Sequence, residues 1–363
     1  MPRSIPTLML LAVSAAAMGG IGARAAAADA GPAFPRAQLE RFATEVAHRD
    51  GLDRRATLAV LMQARPQPGI VQAISHPVER VLQWWQYRRI FVTDRRIADG
   101  VEFWREHRDA LERVSAQEGV PPQYIIAILG AESNYGRITG SYRVLDALAT
   151  LTFDYPPRSR FFGRELEQFL VLAHREKLDP LTVKGSYAGA MGPLQFMPSA
   201  YLRYAVDRGS HTRLNLFSDW GDIFLWVARF LHECGWQAGG PVMAHVKIEP
   251  GATFHVDPNE LSLDQTIGDL SAQGVRVESD APGGTRVVLL LAQEQDGPSY
   301  RVGFNNFHAL TRYNHSALYA MAIDELAHAI ALRLTPAGPD SVPARTPAAA
   351  ANRNADHPTP SAR

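Results

Sequence analysis

The order of two periodicities constrains this chain more than anything else in it. Up to about residue 240, apolar side chains recur at the spacing of helices. From about 241 to 304 the pattern becomes short β-rich runs, MAHVKI, ATFHV, RVVLLLAQ and SYRVGF, separated by Gly, Pro and Asp turns. Helical spacing then returns in HSALYAMAIDELAHAIALRL. Such a chain closes only if its last helix packs back onto the first helical body, so the strands form an insertion beside whatever cleft that body holds. The expected class is mainly α with a small inserted antiparallel β subdomain, and at 363 residues the chain can bury a large core.

Within that frame, residues 34–120 read as an N-terminal helical domain. RAQLERFATEVAHRDG sets Leu39, Phe42, Ala43 and Val46 on one face and stops at a glycine; ERVLQWWQYRRIF and DGVEFWREHRDALERVSAQEG are further amphipathic stretches. Residues 121–240 read as a second helical unit, opened by Pro121 and Pro122 at a first turn and continued in RELEQFLVLAHRE and WGDIFLWVARFLHECGW. Residues 241–304 are the β insertion, 305–335 a returning C-terminal helix, and 336–363 a Pro-, Ala- and Arg-rich tail expected to be disordered.

The N-terminus carries Arg3, an apolar run from about Leu8, and small residues at Ala-x-Ala spacing between Ala23 and Ala28, which is the pattern of a signal peptide over 1–28. The run is too short and too rich in Ala and Gly for a spanning helix. Cys234 is the only cysteine, so an intramolecular disulfide is impossible and no lipid-attachment cysteine follows the apolar run. The expectation is a soluble, exported, periplasmic protein with no stable membrane anchor. Formal net charge is zero, which gives no reason to expect nucleic acid as a partner.

The chemistry centres on VPPQYIIAILGAESNYGR. Ile125, Ile128 and Leu129 form an apolar stripe, and the next position on it is Glu132. A carboxyl group desolvated there stays protonated toward neutrality, as a general acid for a glycosidic oxygen requires. The alternative is a structural pair with Arg137 or another base at the rim of the core. Ser133 and Asn134 are weak helix formers and Gly136 suits a C-cap, so the helix is expected to end near Glu132 and to present it to a cleft.

Two further segments stand out. In GSYAGAMGPLQFMPS, Gly185, Gly189 and Gly192 allow close approach of a backbone or sugar ring, while Ser186 and Gln195 can hydrogen-bond hydroxyl and acetamido groups or satisfy their own loop. No Gly-Lys-Ser/Thr follows for a phosphate loop, and Ser186 lacks the G-x-S-x-G frame of a hydrolase elbow. In LTRYNHSALYAMAIDELA, Tyr313 and Asn314 precede the last helix, with Asn314 and Ser316 both suited to cap it.

Together AESNYGR, LDALATLTFDYPPRSRFF, GSYAGAMGPLQFMPSAYLRYAVD, LFSDWGDIFLWVARFLHECGW and GFNNFHALTRYNHSALYAMAIDELA resemble the lytic murein transglycosylase B family, glycoside hydrolase family 103, over residues 37–333. The resemblance implies a lysozyme-like helical core, a further helical domain and an inserted β domain. It implies cleavage of the β-1,4 bond between N-acetylmuramic acid and N-acetylglucosamine in peptidoglycan glycan strands, leaving a 1,6-anhydro-muramyl end, without a cofactor. It places the catalytic acid/base on Glu132 and glycan contacts on Ser186, Gln195, Tyr87, Arg158, Phe230, Tyr313 and Asn314. A second basic position beside Arg158 is Pro157 here.

The family's solution to having one carboxylate is substrate assistance, the N-acetyl oxygen attacking the anomeric carbon. Asp146, Asp154 and Glu165 are the other carboxylates considered, and none lies in an apolar stripe. Some members carry a calcium loop after YAVD; here Gly209, His211 and Arg213 occupy ligand positions counted from Asp207, so no metal is expected. A hydrolytic muramidase of the same fold and a non-catalytic peptidoglycan-binding protein are the alternatives.

Overall fold

The computed structural model describes residues 33–75, 82–204, 215–258 and 260–334; the signal segment, the tail and the 207–213 loop lie outside these. The helices described are α1 (Arg36–Asp50), α2 (Arg54–Leu61), α3 (Pro68–Ser75), α4 (Trp84–Phe91), α5 (Asp94–Glu106), α6 (Arg108–Glu118), α7 (Pro122–Ser133), α8 (Val144–Phe153), α9 (Ser159–Glu176), α10 (Pro198–Tyr204), α11 (Trp220–Glu233), α12 (Ile267–Ala272), α13 (Asn305–Tyr313) and α14 (Ala317–Leu334). The strands are β1 (Tyr142–Arg143), β2 (Lys184–Gly185), β3 (Met243–Ile248), β4 (Gln265–Thr266), β5 (Val275–Val277), β6 (Arg286–Glu294) and β7 (Gly297–Gly303). The architecture is mainly α.

α7 is the axis of the helical body. Every residue from Tyr124 to Ser133 is buried, so this helix is enclosed on all sides and is not amphipathic. α5, α6, α11 and α14 pack around it. α14 closes the body by lying against α4, α5 and α7, as the order of the periodicities requires. Each of the two buried helices carries polar groups that must find partners. At one end of their contact the Tyr124 hydroxyl donates to Asp324 Oδ1 at 2.8 Å.

The five-stranded sheet is antiparallel throughout, in the order β4-β6-β7-β3-β5. β6 explains why RVVLLLAQ is apolar without alternation. Its two faces serve different cores: Val287 and Leu289 join Ile267, Leu270, Val275, Val302 and Phe304 in a small core. Val288, Leu290 and Ala292 face the main helical core. The sheet is also held by charge. Arg301 of β7 donates to Glu325 of α14 at 3.0 Å, Arg88 of α4 pairs with the same carboxylate, and the Arg301 guanidinium stands 5.2 Å from the Trp84 ring centre.

Two local expectations need correction and one open alternative is decided. α7 ends at Ser133 on Asn134, not on Gly136; Asn134, Tyr135 and Gly136 are all left-handed, with φ of 48, 60 and 78°. Asparagine tolerates that region, and the following turn is held by Ile138 N–H donating to the Ser133 carbonyl at 2.8 Å. The returning segment is two helices, since β7 runs into α13 with no loop residue to mark the change except Phe304. Ser316 is the residue that caps α14, its Oγ accepting from Tyr319 N–H at 3.3 Å, while Asn314 stays in the link between α13 and α14.

Candidate active site

Glu132 sits one residue before the end of α7 with 1% of its surface exposed. The helix does end beside Glu132, as the sequence suggested, and the side chain is enclosed against α14. The Tyr319 hydroxyl donates to Glu132 Oε1 at 2.7 Å. Arg137, the cation of the structural alternative, pairs instead with Asp99 at 2.8 Å. The abrupt left-handed turn behind Glu132 is braced by packing: a Cβ at Gly130 would come within 2.7 Å of the Tyr135 ring, whose hydroxyl donates to the Arg96 carbonyl at 2.7 Å. The absence of a side chain at Gly130 lets the ring fold back on α7 and fixes the turn.

Around this pair the structure assembles aromatic side chains. The Tyr313 and Tyr319 rings stack, with centroids 6.3 Å apart and planes 8° from parallel. Burial raises both phenols well above their ordinary range, and the Glu132 charge raises them further. Both are therefore neutral donors. Tyr87, buried on α4, lies near enough to Tyr319 to act on it electrostatically, and its ring stands 4.9 Å from that of Phe91. Phe230 packs edge-on to Tyr313 at 5.5 Å and against Trp226 and Tyr204, with 4% of its surface exposed. It is a wall behind Tyr313.

The glycine-rich loop reaches the same place by two close approaches. β1 pairs with β2, bringing Tyr142 opposite Gly185. At Gly140, with φ of 108°, an added Cβ would stand 1.9 Å from the Gly185 carbonyl carbon. Ser186 Oγ accepts from the N–H groups of Ala188 at 3.3 Å and Ala190 at 3.1 Å, which leaves its own O–H to donate. Gln195 is left-handed at φ 49°, and its Nε2 donates to the carbonyls of Thr139 at 3.1 Å and Gly192 at 2.9 Å. Both N–H groups are used, so Oε1 remains an acceptor. Tyr313 closes the circuit by donating to the carbonyl of Leu194 at 3.1 Å, next to Gln195.

Thus Glu132, Tyr313, Phe230, Tyr87 and the Gln195 loop form one contiguous group. Ser186 joins through the bridges from Gly185 to Met191 and from Met191 to Phe196. Asn314, half-buried, follows Tyr313 directly. Arg158 stands apart on its own short turn, its guanidinium 4.5 Å from the Phe161 ring centre and 5.3 Å from that of Phe162, and burial lowers its pKa. The other carboxylates have different work. Asp146 takes Nε and a terminal nitrogen of Arg143 at 2.8 and 2.7 Å, Glu165 holds Ser199, and Asp154 is exposed beyond α8. Among the described residues no three His, Cys, Asp or Glu side chains are grouped to hold a metal.

Tyr319 is the residue that sequence reasoning missed. Its only signal was indirect: the buried positions of α14 carry the polar tips of Tyr319 and Asp324 among otherwise apolar side chains, and each needed a buried partner.

A model of the family described as the transglycosylase SLT domain matches residues 35–328. The membrane-bound lytic murein transglycosylase B of Escherichia coli (strain K12) is 38% identical over 308 residues, 82% of this chain and 83% of the relative. The crystal structure of soluble lytic transglycosylase SltB1 from Pseudomonas aeruginosa is 41% identical, covers 82% of this chain and 99% of its own, and superposes with a TM-score of 0.72. SltB3 from the same organism, in complex with NAG-anhNAM-pentapeptide, is 28% identical with a TM-score of 0.68, over 82% of this chain and 80% of its own. The chain belongs to the transglycosylase SLT domain family, and its helical body is the lysozyme-like core of that family.

Proposed function

We propose that this chain is a lytic murein transglycosylase acting on peptidoglycan glycan strands, with Glu132 serving in turn as its acid and its base. The observation that carries the assignment is a carboxyl group 1% exposed, at a helix end, accepting a 2.7 Å hydrogen bond from a buried neutral phenol. Two influences oppose each other there. Loss of water favours the protonated carboxyl group, and the Tyr319 donor favours the carboxylate. A group that must give a proton and then take one back needs both forms within reach at working pH.

In the first step the substrate's N-acetyl oxygen bonds to the anomeric carbon as the glycosidic bond breaks. The leaving N-acetylglucosamine oxygen takes the proton from Glu132. In the second, the Glu132 carboxylate removes the proton from the muramoyl 6-hydroxyl, whose oxygen bonds to the anomeric carbon and releases the N-acetyl oxygen. No water is consumed. Ser186 O–H and Gln195 Oε1 are suited to hold the acetamido group, Asn314 the sugar beside it, and Tyr87 the far side of Glu132, while Tyr313, fully buried with its hydroxyl on the Leu194 carbonyl, braces the loop and does not face glycan. Phe230 supports Tyr313, and Arg158 contacts the strand at a distance from the reacting bond.

Residues 34–120, 121–240, 241–304 and 305–335 are the working units of this reading, which the element boundaries at Glu118, Glu233 and Gly303 accommodate. The signal pattern of 1–28 and the lack of a spanning helix among the described residues support export to the periplasm in soluble form. N-terminal sequencing of periplasmic protein tests this: the mature chain starts between Ala26 and Ala30, and recovery only in detergent with the first thirty residues intact contradicts it. Glu132→Gln tests the catalytic assignment. Turnover falls by about 10²-fold or more with the fold intact; a folded variant with wild-type turnover refutes it.

A further inference from the structure

Glu165 is a buried carboxylate for which the reaction has no use. It lies on α9 with 6% of its surface exposed, and burial raises its pKa. Both oxygens are committed to one residue: Oε2 accepts from Ser199 N–H at 3.0 Å and Oε1 from the Ser199 hydroxyl at 2.7 Å. Ser199 is the second residue of α10, after Pro198. The carboxylate therefore satisfies a backbone donor that a first turn leaves without a helical partner.

What α10 holds in turn is the site loop. The Tyr201 hydroxyl donates to the Met191 carbonyl at 2.9 Å, and a Cβ at Gly192 would come within 2.2 Å of that same hydroxyl. Met191 and Phe196 exchange both backbone hydrogen bonds, at 2.8 and 3.1 Å, around the turn that contains Gln195. Gln195 is the one residue of this loop with a side chain in the left-handed region, at φ 49°. A conformation of that kind persists only where its surroundings determine it. The path from α9 to Gln195 is short: Glu165 to Ser199, two residues along α10 to Tyr201, then to Met191 and across the bridge.

We propose that Glu165 is a positioning residue for Gln195, acting through the first turn of α10 and not by contact with substrate. The inference rests on the reading of Gln195 as an acetamido contact. If α10 is no longer clasped, the Met191–Phe196 turn relaxes and Gln195 Oε1 leaves its place. Turnover then falls, and water reaches the anomeric carbon more often.

The test uses the full chain on purified peptidoglycan. Glu165→Ala, Glu165→Gln and Gln195→Ala are compared singly, and Glu165→Ala also with Gln195→Ala. Readouts are kcat, KM, the ratio of anhydro to hydrolysed muramyl ends, and melting temperature. Glu165→Ala is expected to lower kcat by about tenfold or more and to raise the hydrolysed share. Glu165→Gln keeps an acceptor for Ser199 N–H and recovers most of the activity. On the Gln195→Ala background, Glu165→Ala costs less than about twofold more. Wild-type kcat and product ratio in folded Glu165→Ala overturn the proposal, as does a loss that multiplies with that of Gln195→Ala. Should Glu165→Ala not fold, Ser199→Ala removes the 2.7 Å hydroxyl donation alone. It is expected to move the product ratio in the same direction, and an unchanged ratio overturns the proposal. Unchanged turnover in Gln195→Ala alone defeats the acetamido reading and the positioning inference with it, a result that needs no Glu165 variant to see.

Discussion

Tyr319→Phe isolates the hydroxyl that meets Glu132. The substitution keeps the ring that stacks on Tyr313 and removes only the 2.7 Å donation. A hydrogen bond to a charged group contributes about 1.5–3 kcal/mol, which at 1.36 kcal/mol per tenfold corresponds to roughly 10- to 150-fold in rate if the whole contribution is felt in the acid step. The sign follows from which form the phenol favours. Without the donor the carboxylate is less stable, so Glu132 holds its proton more tightly and the alkaline limb of kcat/KM moves to higher pH. The base step is then not impaired, and the loss appears in release of the proton to the leaving oxygen. Tyr124→Phe is the control. It removes a 2.8 Å donation to Asp324 at the other end of the same α7–α14 contact. Both variants are expected to lose about 1–3 kcal/mol of stability, and only Tyr319→Phe shifts the pH profile. The assay is release of soluble fragments from peptidoglycan across pH, with melting temperature alongside. Tyr319→Phe with turnover within twofold and an unmoved profile, or Tyr124→Phe with the same shift, refutes the reasoning.

Three other outcomes are expected. Gly140→Ala forces a Cβ to within 1.9 Å of Gly185 in a left-handed backbone, so it costs more than about 3 kcal/mol, and a melting temperature near wild type would show that β1 and β2 separate freely. Glu167 of α9 is buried and hydrogen-bonded to Asp50, and these raise its pKa from 4.5 to about 7 despite the opposing charge of Arg49. The native chain binds that proton more tightly than the unfolded one, so stability falls as pH rises from 4.5 to about 7; Glu167→Gln should flatten the fall, and an unchanged slope counts against the assignment. Calcium over magnesium should not raise the melting temperature, because Gly209 and Arg213 stand where oxygen ligands are needed; a site at 100 Kd would add about 2.7 kcal/mol.

Period and order made the body of the fold legible, but not its joints. α7 and its carboxyl-bearing stripe follow from helical spacing in IIAILGAE, and the closing role of α14 from a helical run after an inserted sheet. α13 was not separable from the helix behind it, because nine residues starting at Asn305 carry neither a breaker nor a long stripe. β1 and β2 are two residues each, too short for any alternation to be read. The site was legible where a polar residue interrupts an apolar pattern, as at Glu132. Tyr319 was not, since an aromatic at helical spacing reads as core until the opposing helix is placed, here 187 positions away in sequence. Phe230 shows the converse: expected to face glycan, it is packed by Trp226, Tyr204 and Tyr313.

The central claim is that Glu132 gives up a proton and then takes one from the muramoyl 6-hydroxyl, closing an anhydro ring without water entering the reaction. Mass spectrometry of fragments released from purified peptidoglycan by the wild-type chain, with Glu132→Gln as the blank, tests it directly. The account predicts 1,6-anhydro-muramyl ends that are absent from the blank. Fragments heavier by one water, with reducing muramic acid ends, would contradict it and make the chain a hydrolase.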